Sequence, residues 1–334
     1  MSLSNAAVSS PAPTGAGVFS THPAPAARHL LGLEGLGRET LLELIEESAR
    51  ERDWLRSGAP NRDDLAGCTV MLAFIEDSTR TRTSFEIAAR RLGANALTFS
   101  ASASSLNKGE TLLDTMRLFE AMGAQLLVLR HSMSGAPGYL ARHLPRVGVL
   151  NAGDGMHEHP TQGLLDLLTL RDAWQGRFEG RRLAIVGDVA HSRVARSAIA
   201  GLTALGASVT VCGPGTLLPV DVELLGCDVA PTVEEAMAGA DGVMALRIQK
   251  ERMEKGLLPS LVEYAREWGI QPARVALMKP EAVVMHPGPV NRGIELDPVV
   301  ADSPRSVILA QVENGVAARC AVLRRCWNAW KEEI

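Results

Sequence analysis

A short apolar run, a polar loop, an amphipathic stretch ending in Leu-Gly-Ala and a second apolar run follow one another twice in this chain. The first copy, residues 67–100, reads GCTVMLAFIEDSTRTRTSFEIAARRLGANALTFS; the second, residues 181–214, reads RRLAIVGDVAHSRVARSAIAGLTALGASVTVCGP. Two apolar runs joined through a helix lie parallel in one sheet, and that crossover is right-handed. The glycine of each Leu-Gly-Ala supplies the left-handed residue that ends a helix before the chain turns back into the sheet. The repeat therefore predicts an α/β protein of two similar lobes, each a parallel sheet flanked by helices. The length of 334 residues suits about two domains.

The rest of the chain fits that plan. GRETLLELIEESARERDWL has helical spacing, with Leu41, Leu42, Leu44, Ile45 and Ala49 assigned to one face. TQGLLDLLTLRDAW predicts a helix from Thr161 to about Trp174 that crosses between the lobes, with Pro160 suited to its start. ADGVMAL (240–246) and EAVVMHP (281–287) read as further strands of the second lobe. NGVAARCAVLRRCWNAW places Val316, Cys320, Leu323 and Trp327 on one helical stripe, and Trp327 and Trp330 are expected in core or interlobe packing. The predicted division is an extension over 1–28, a first lobe over 29–160 completed by a helix over 314–334, and a second lobe over 161–313. The extension consists largely of Ala, Ser, Pro and Gly, without the basic start and continuous apolar core of a secretory signal, and is expected to be disordered.

Composition narrows the function. A formal charge of −4 gives no global field to attract nucleic acid or an acidic membrane, so anions must be held by local clusters. No apolar run approaches the ~20 residues of a membrane span. Five cysteines without a C-x-x-C pair point to reduced thiols in a cytoplasmic protein. Five lysines stand against 29 arginines, an imbalance explained most simply by a GC-rich genome.

The loops at the carboxyl ends of the predicted strands are where chemistry belongs. Glu76-Asp77-Ser78-Thr79-Arg80-Thr81-Arg82 precedes a helix whose free N–H groups and partial positive charge suit a phosphate. One hydroxyl suffices to cap a helix; this loop adds further donors and the bidentate fork of Arg80. The plain alternative is a cap by Ser78 or Thr79, with both arginines paired to Glu76 or Asp77. His157 and His159 in DGMHEHPTQ lack the spacing that places two ligands on one helix face, so no metal is expected. GDVAHSR lacks G-x-G-x-x-G, which argues against a nicotinamide cofactor.

FIEDSTRTRTSFEIAARRLGA resembles the phosphate-binding signature of the aspartate and ornithine carbamoyltransferases. The likeness continues through SSLNKGETLLDT (104–115), RH (130–131), NAGDGMHEHPTQGLLDLLT (151–169), GDVAHSRVARS (187–197), RIQKER (247–252) and MHPGPVNRG (285–293). KGETLLDT, RIQKER and HPGP look like the aspartate branch. Asp77 departs from the family, where proline or alanine is usual, and is expected to turn outward and pair with an arginine.

The resemblance implies roles, residue by residue. Ser78, Thr79, Arg80, Thr81 and Arg130 would bind the phosphate of carbamoyl phosphate. His159 would donate to the carbamoyl oxygen, Gln162 would hold its amide, and Gly288 and Pro289 would accept from its NH₂, with an X-Pro bond that suits a cis form. Arg193, Arg247 and Gln249 would bind L-aspartate, since a dicarboxylate calls for two planar forks. Ser104 and Lys108 would reach in from a neighbouring subunit, which implies an oligomer, expected as a homotrimer. The catalytic set would be Arg80, Thr81, His159 and Lys108. QKERMEKGLLPS would be a loop that closes over aspartate. The implied reaction is carbamoyl transfer from carbamoyl phosphate to aspartate, without a cofactor, on the way to pyrimidines. The alternatives are transfer to another amino acid such as ornithine, or a non-catalytic scaffold. Association with regulatory chains or a dihydroorotase stays open.

Overall fold

A computed structural model describes residues 27–100, 109–248, 256 and 260–334. Ser104, Lys108 and Gln249 lie outside the described residues, as do the extension through residue 26 and most of the predicted closing loop. The first lobe is a four-stranded sheet of β1 (Thr69–Phe74), β2 (Asn95–Ser100), β3 (Leu126–His131) and β4 (Gly148–Asp154), in the order β2-β1-β3-β4. The second has five strands, β5 (Arg182–Val186), β6 (Ser208–Cys212), β7 (Asp228–Val229), β8 (Gly242–Ala245) and β9 (Val283–Met285), in the order β7-β6-β5-β8-β9. Every pairing in both sheets is parallel.

Both sequence repeats fold as expected. β1 leads through α2 (Thr79–Arg91) to β2, in register Val70 to Ala96, and β5 leads through α6 (Arg193–Ala204) to β6, in register Leu183 to Val209. Gly93 and Gly206 end those helices at φ +80° and +85°, the left-handed conformation that their Leu-Gly-Ala context demands. Alternate residues of β1 serve two separate apolar layers: Val70, Leu72 and Phe74 face one, Met71 and Ala73 the other. A strand covered on both faces has no polar side to show, which is why β1 reads as an unbroken apolar run.

α3 (Leu112–Ala121) and α4 (Ala136–His143) lead into β3 and β4, and two further helices join the lobes. α5 (Pro160–Ala173) is buried around most of its circumference, with Leu164, Leu165, Leu167, Leu168 and Leu170 in the core shared by both sheets. The C-terminal helix Ile308–Glu333 packs against α1 (Arg38–Arg56), α2 and α5. It begins at Ile308, ahead of the expected residue 314; Leu309 and Val312 point to solvent there, so no buried apolar stripe marks its first turns in the sequence. Cys320, Leu323 and Trp327 are buried as expected, Val316 is half-buried, and Trp327 stacks on Trp330 with ring centroids 5.0 Å apart. In α1 the stripe of Leu41, Leu44, Ile45 and Ala49 is buried, whereas Leu42 is exposed. Leu42 sits at the solvent edge of that stripe, beside Glu39, Glu43 and Glu46.

In each sheet the chain turns back on itself beside the first strand, between β1 and β3 and between β5 and β8. Helices leave opposite faces at such a point and open a crevice at the carboxyl ends of the two strands. The residues at these ends are Arg80 and Arg130 in the first lobe, and Arg193 and Arg247 in the second.

Candidate active site

Ser78 caps α2, its hydroxyl accepting the Thr81 N–H at 3.4 Å. Thr81 is buried behind it, while Thr79 and Arg80 are exposed at the crevice. The plain alternative for this loop fails at Arg80: among the described residues no carboxylate pairs with it. Its guanidinium instead lies against the backbone of Gly288 in the other lobe, where any Cβ would collide with it. Gly288 has φ +67° and its bond to Pro289 is cis. Partial loss of solvent around its guanidinium first, and the like charge of Arg247 second, lower the Arg80 pKa. Arg247 is exposed and close enough for that charge to be felt, so the two arginines share one cleft. Asp77 turns outward as expected, but among the described residues no arginine pairs with it.

Glu76 has the partners instead. It takes the Arg130 Nη2 of its own lobe and the Arg193 guanidinium of the other, with Arg193 Nη1 at 3.0 Å. Arg130 Nη1 also donates to the Ala152 carbonyl at 3.3 Å, and Arg193 Nη1 to the Gly155 carbonyl at 3.3 Å. A side chain at Gly153, between those carbonyls, would press on both guanidiniums. Burial alone would raise the Glu76 carboxyl, but hydrogen bonds and charge from Arg193 and Arg130 outweigh it and hold it below the usual range. Burial, reinforced by the neighbouring charge of Arg193, lowers Arg130 to about 10, so it stays cationic at neutral pH.

His159 occupies the N-cap position of α5, almost fully buried, with its backbone N–H on the Ser197 hydroxyl at 2.9 Å. Burial, then the charges of Arg130, Arg319 and Arg193, drive its pKa well below the ordinary value. It is a neutral imidazole, and among the described residues its Nδ1 has no hydrogen-bond partner. Gln162, one turn on, donates from Nε2 to Asp166 Oδ1 at 3.0 Å. Asp166 Oδ1 also accepts from Gln311 Nε2 at 2.7 Å, so one buried carboxylate fixes two amides. Holding the Gln162 nitrogen there leaves its oxygen free to accept from a ligand.

The neighbouring His157 is explained without a metal. Glu34, His157 and Glu158 bring ligand-type atoms within 4.8 Å of one another. Glu158, however, already accepts from the Leu33 and Glu34 N–H groups and from the Ser197 hydroxyl, and His157 is bonded to Asp154 at 3.1 Å. These contacts tie the chain before α1 to the starts of α5 and α6.

Of the residues singled out from the sequence, Arg80, Arg130, His159, Arg193, Arg247 and Gly288 thus converge between the lobes, with Ser78, Thr79, Thr81, Gln162 and Pro289 on the same loops and helix starts. Sequence reasoning missed Glu76 as the residue that fastens Arg130 to Arg193. The available signal was a carboxylate placed directly at the end of a buried strand, one residue before the donor-rich loop.

The sequence matches two domain descriptions in tandem: "Aspartate/ornithine carbamoyltransferase, carbamoyl-P binding domain" over residues 28–172, and "Aspartate/ornithine carbamoyltransferase, Asp/Orn binding domain" over residues 179–326. The chain belongs to the aspartate/ornithine carbamoyltransferase family. Among its relatives, the aspartate carbamoyltransferase catalytic subunits of Sorangium cellulosum and Myxococcus xanthus are each 54% identical to it. The alignments cover 89% of this chain and 92% of the Sorangium protein, and 90% and 99% for Myxococcus. Among solved carbamoyltransferase structures, aspartate transcarbamoylase from Trypanosoma cruzi in complex with carbamoyl phosphate superimposes with a TM-score of 0.80 at 31% identity, covering 90% of this chain and 96% of that one. Ornithine carbamoyltransferase from Pyrococcus furiosus gives 0.79 at 29% identity, covering 89% and 96%. The carbamoyltransferase fold is therefore common to both branches, while three relatives at 51–54% identity are aspartate carbamoyltransferase catalytic subunits.

Proposed function

We propose that this chain transfers the carbamoyl group of carbamoyl phosphate to the amine of L-aspartate, giving N-carbamoyl-L-aspartate and phosphate on the route to pyrimidines. The observation that carries the reading is the gathering of four guanidiniums, two from each lobe, in one cleft, with Arg130 and Arg193 beside a neutral buried histidine at a helix start. The first lobe, 29–160 with 314–334, would bind carbamoyl phosphate; the second, 161–313, would bind aspartate.

Carbamoyl phosphate is already an activated acyl donor, so the protein has to hold two anions together and stabilise the charge that moves between them. Ser78, Thr79 and Thr81 at the start of α2, with Arg80 and Arg130, hold the phosphate and neutralise it as it leaves. His159, neutral because it is buried, donates a ring N–H to the carbonyl oxygen as that oxygen gains charge. Gln162 and the Gly288 and Pro289 carbonyls accept from the carbamoyl NH₂. Arg193, Arg247 and Gln249 take the two carboxylates of aspartate. Its neutral amine attacks the carbonyl carbon, a tetrahedral intermediate forms, and the C–O bond to phosphate breaks; the departing phosphate is the candidate acceptor of the amine proton. Ser104 and Lys108 complete the site from a neighbouring copy in a cytoplasmic homotrimer.

The test is an assay of the purified chain with carbamoyl phosphate and either aspartate or ornithine, with its mass measured in solution. Product from aspartate and a mass of three chains support the reading. Product from ornithine alone, or none from either, overturns it.

A further inference from the structure

Behind the Gly288–Pro289 turn lies a buried network that the proposed mechanism does not use. His286 follows β9 and is fully enclosed. The Gly288 N–H donates to its Nδ1 at 2.7 Å, so that nitrogen carries a lone pair and the ring proton sits on Nε2. Nε2 faces Glu295 Oε1 at 3.1 Å. The buried Glu295 also accepts the Asn291 N–H on Oε1 and the Asn291 side-chain amide on Oε2 at 3.1 Å. That same amide donates to the Ile248 carbonyl at 2.9 Å. On the other side, the His286 N–H is held by Gln311 Oε1 at 3.0 Å, and Gln311 donates to the carboxylate that orients Gln162.

One carboxylate thus has two arms. The first runs through the His286 ring to the Gly288 backbone, against which Arg80 rests. The second runs through Asn291 to Ile248, the residue after Arg247. We propose that His286 and Glu295 are positioning residues for carbamoyl transfer: the first arm sets the loop that receives the carbamoyl amide, and the second sets the backbone that carries Arg247 to aspartate. The inference rests on the roles given above to Gly288 and Arg247.

The chemistry excludes a simpler filler. Gly288 turns its N–H donor to the ring, so its partner must be an acceptor; Asn291 offers two donors, so the group beneath must accept on both oxygens. A histidine passes the requirement from one to the other, since accepting on Nδ1 obliges it to donate from Nε2. A glutamine at 295 has one acceptor where two are needed. It sets a donor against Asn291 or against the His286 Nε2–H, and one arm fails in either orientation.

The two arms make separable predictions. Asn291→Ala cuts only the second: the KM for aspartate rises about tenfold, by the sensitivity of rate to small misplacements, with the KM for carbamoyl phosphate unchanged. His286→Ala cuts the first and lowers kcat by on the order of 10²-fold. His286→Asn, whose amide oxygen takes the place of Nδ1 as acceptor, recovers much of that loss, which a role in filling space alone would not predict. Nitrogen NMR of histidine-labelled wild-type protein, assigned with His286→Asn, should show His286 protonated on Nε2 only. A wild-type enzyme whose Asn291→Ala form keeps its KM for aspartate, or whose His286 carries its proton on Nδ1, overturns the inference. A wild-type protein that transfers no carbamoyl group while showing the Nε2 tautomer would instead overturn the proposed function and with it the assigned roles of both arms.

Discussion

Replacing Glu76 by alanine removes one side chain but strands two charges. Arg130 and Arg193, at 11% and 15% side-chain exposure, would face each other with no carboxylate between them. Losing one partner of a fully buried ion pair costs about 3–5 kcal/mol; since Glu76 itself is 30% exposed, solvent screens part of that, leaving about 2–3 kcal/mol. At 1.4 kcal/mol per factor of ten, this is a loss of roughly 30- to 140-fold. The loss should fall on kcat/KM for aspartate at saturating carbamoyl phosphate, because Arg193 is the guanidinium that crosses from the second lobe. The opposite sign would follow if Glu76 occupied a substrate site. Yet it engages only Nη1 and Nη2 of Arg193, so the Nε edge remains available to a second carboxylate. Glu76 therefore aims Arg193 without blocking it. Glu76→Gln, which accepts from one guanidinium and presents an amide to the other, should fall between wild type and alanine. Initial rates over a range of aspartate concentrations, with thermal melting to verify folding, make the measurement. An alanine variant with wild-type or improved kcat/KM for aspartate would refute the clamp.

Three further outcomes follow from the site. Gly288→Ala places a methyl group into the Arg80 guanidinium at a position with φ +67°; beyond the backbone cost of about 1 kcal/mol, kcat/KM for carbamoyl phosphate should drop more than about tenfold, and a near-wild-type value would exclude the contact. Burial raises the Asp166 pKa to about 7, so its folded form binds a proton that the unfolded chain releases near 3.8. Its contribution to stability is complete below about pH 4 and is lost as the pH rises to about 7. Melting of Asp166→Asn against wild type should therefore favour the variant more at pH 8 than at pH 5, and a constant difference would show that Asp166 does not titrate. His159 has the reverse sign: its pKa is depressed, so the stability of the neutral buried form is present above about 6.5 and is lost as acid charges the unfolded ring. Its ring NMR signals should not titrate between pH 8 and 6; a midpoint near the ordinary value would place it in solvent.

How much of this the sequence disclosed depends on the range of the interaction. Each βαβ unit is written within about thirty residues, so its strands, helix and left-handed glycine are legible from pattern alone. The donor-rich loop, His159 and the arginines were found because they sit at the ends of such patterns, and the family resemblance supplied their roles. The partner of Glu76 was misjudged for the opposite reason: the nearby candidates were Arg80 and Arg82, but the real ones are 54 and 117 positions away, brought in by the order of strands in two sheets. His286, Glu295 and Asn291 lie close in sequence, yet their meaning depends on Ile248, which strand pairing delivers. Leu42 shows a smaller failure, since the width of a helical stripe depends on what covers it and not on spacing alone.

The C-terminal helix adds a consequence for the birth of the molecule. Its residues 308–333 brace α1, α2 and α5, elements made long before it. During synthesis the strands of the second lobe leave the ribosome while the earlier lobe still lacks this brace. The later lobe can therefore settle first, and the earlier one is held half-finished, with apolar surface uncovered, until the final helix docks. Truncation within that helix should trap chains whose second sheet is formed and whose first is not.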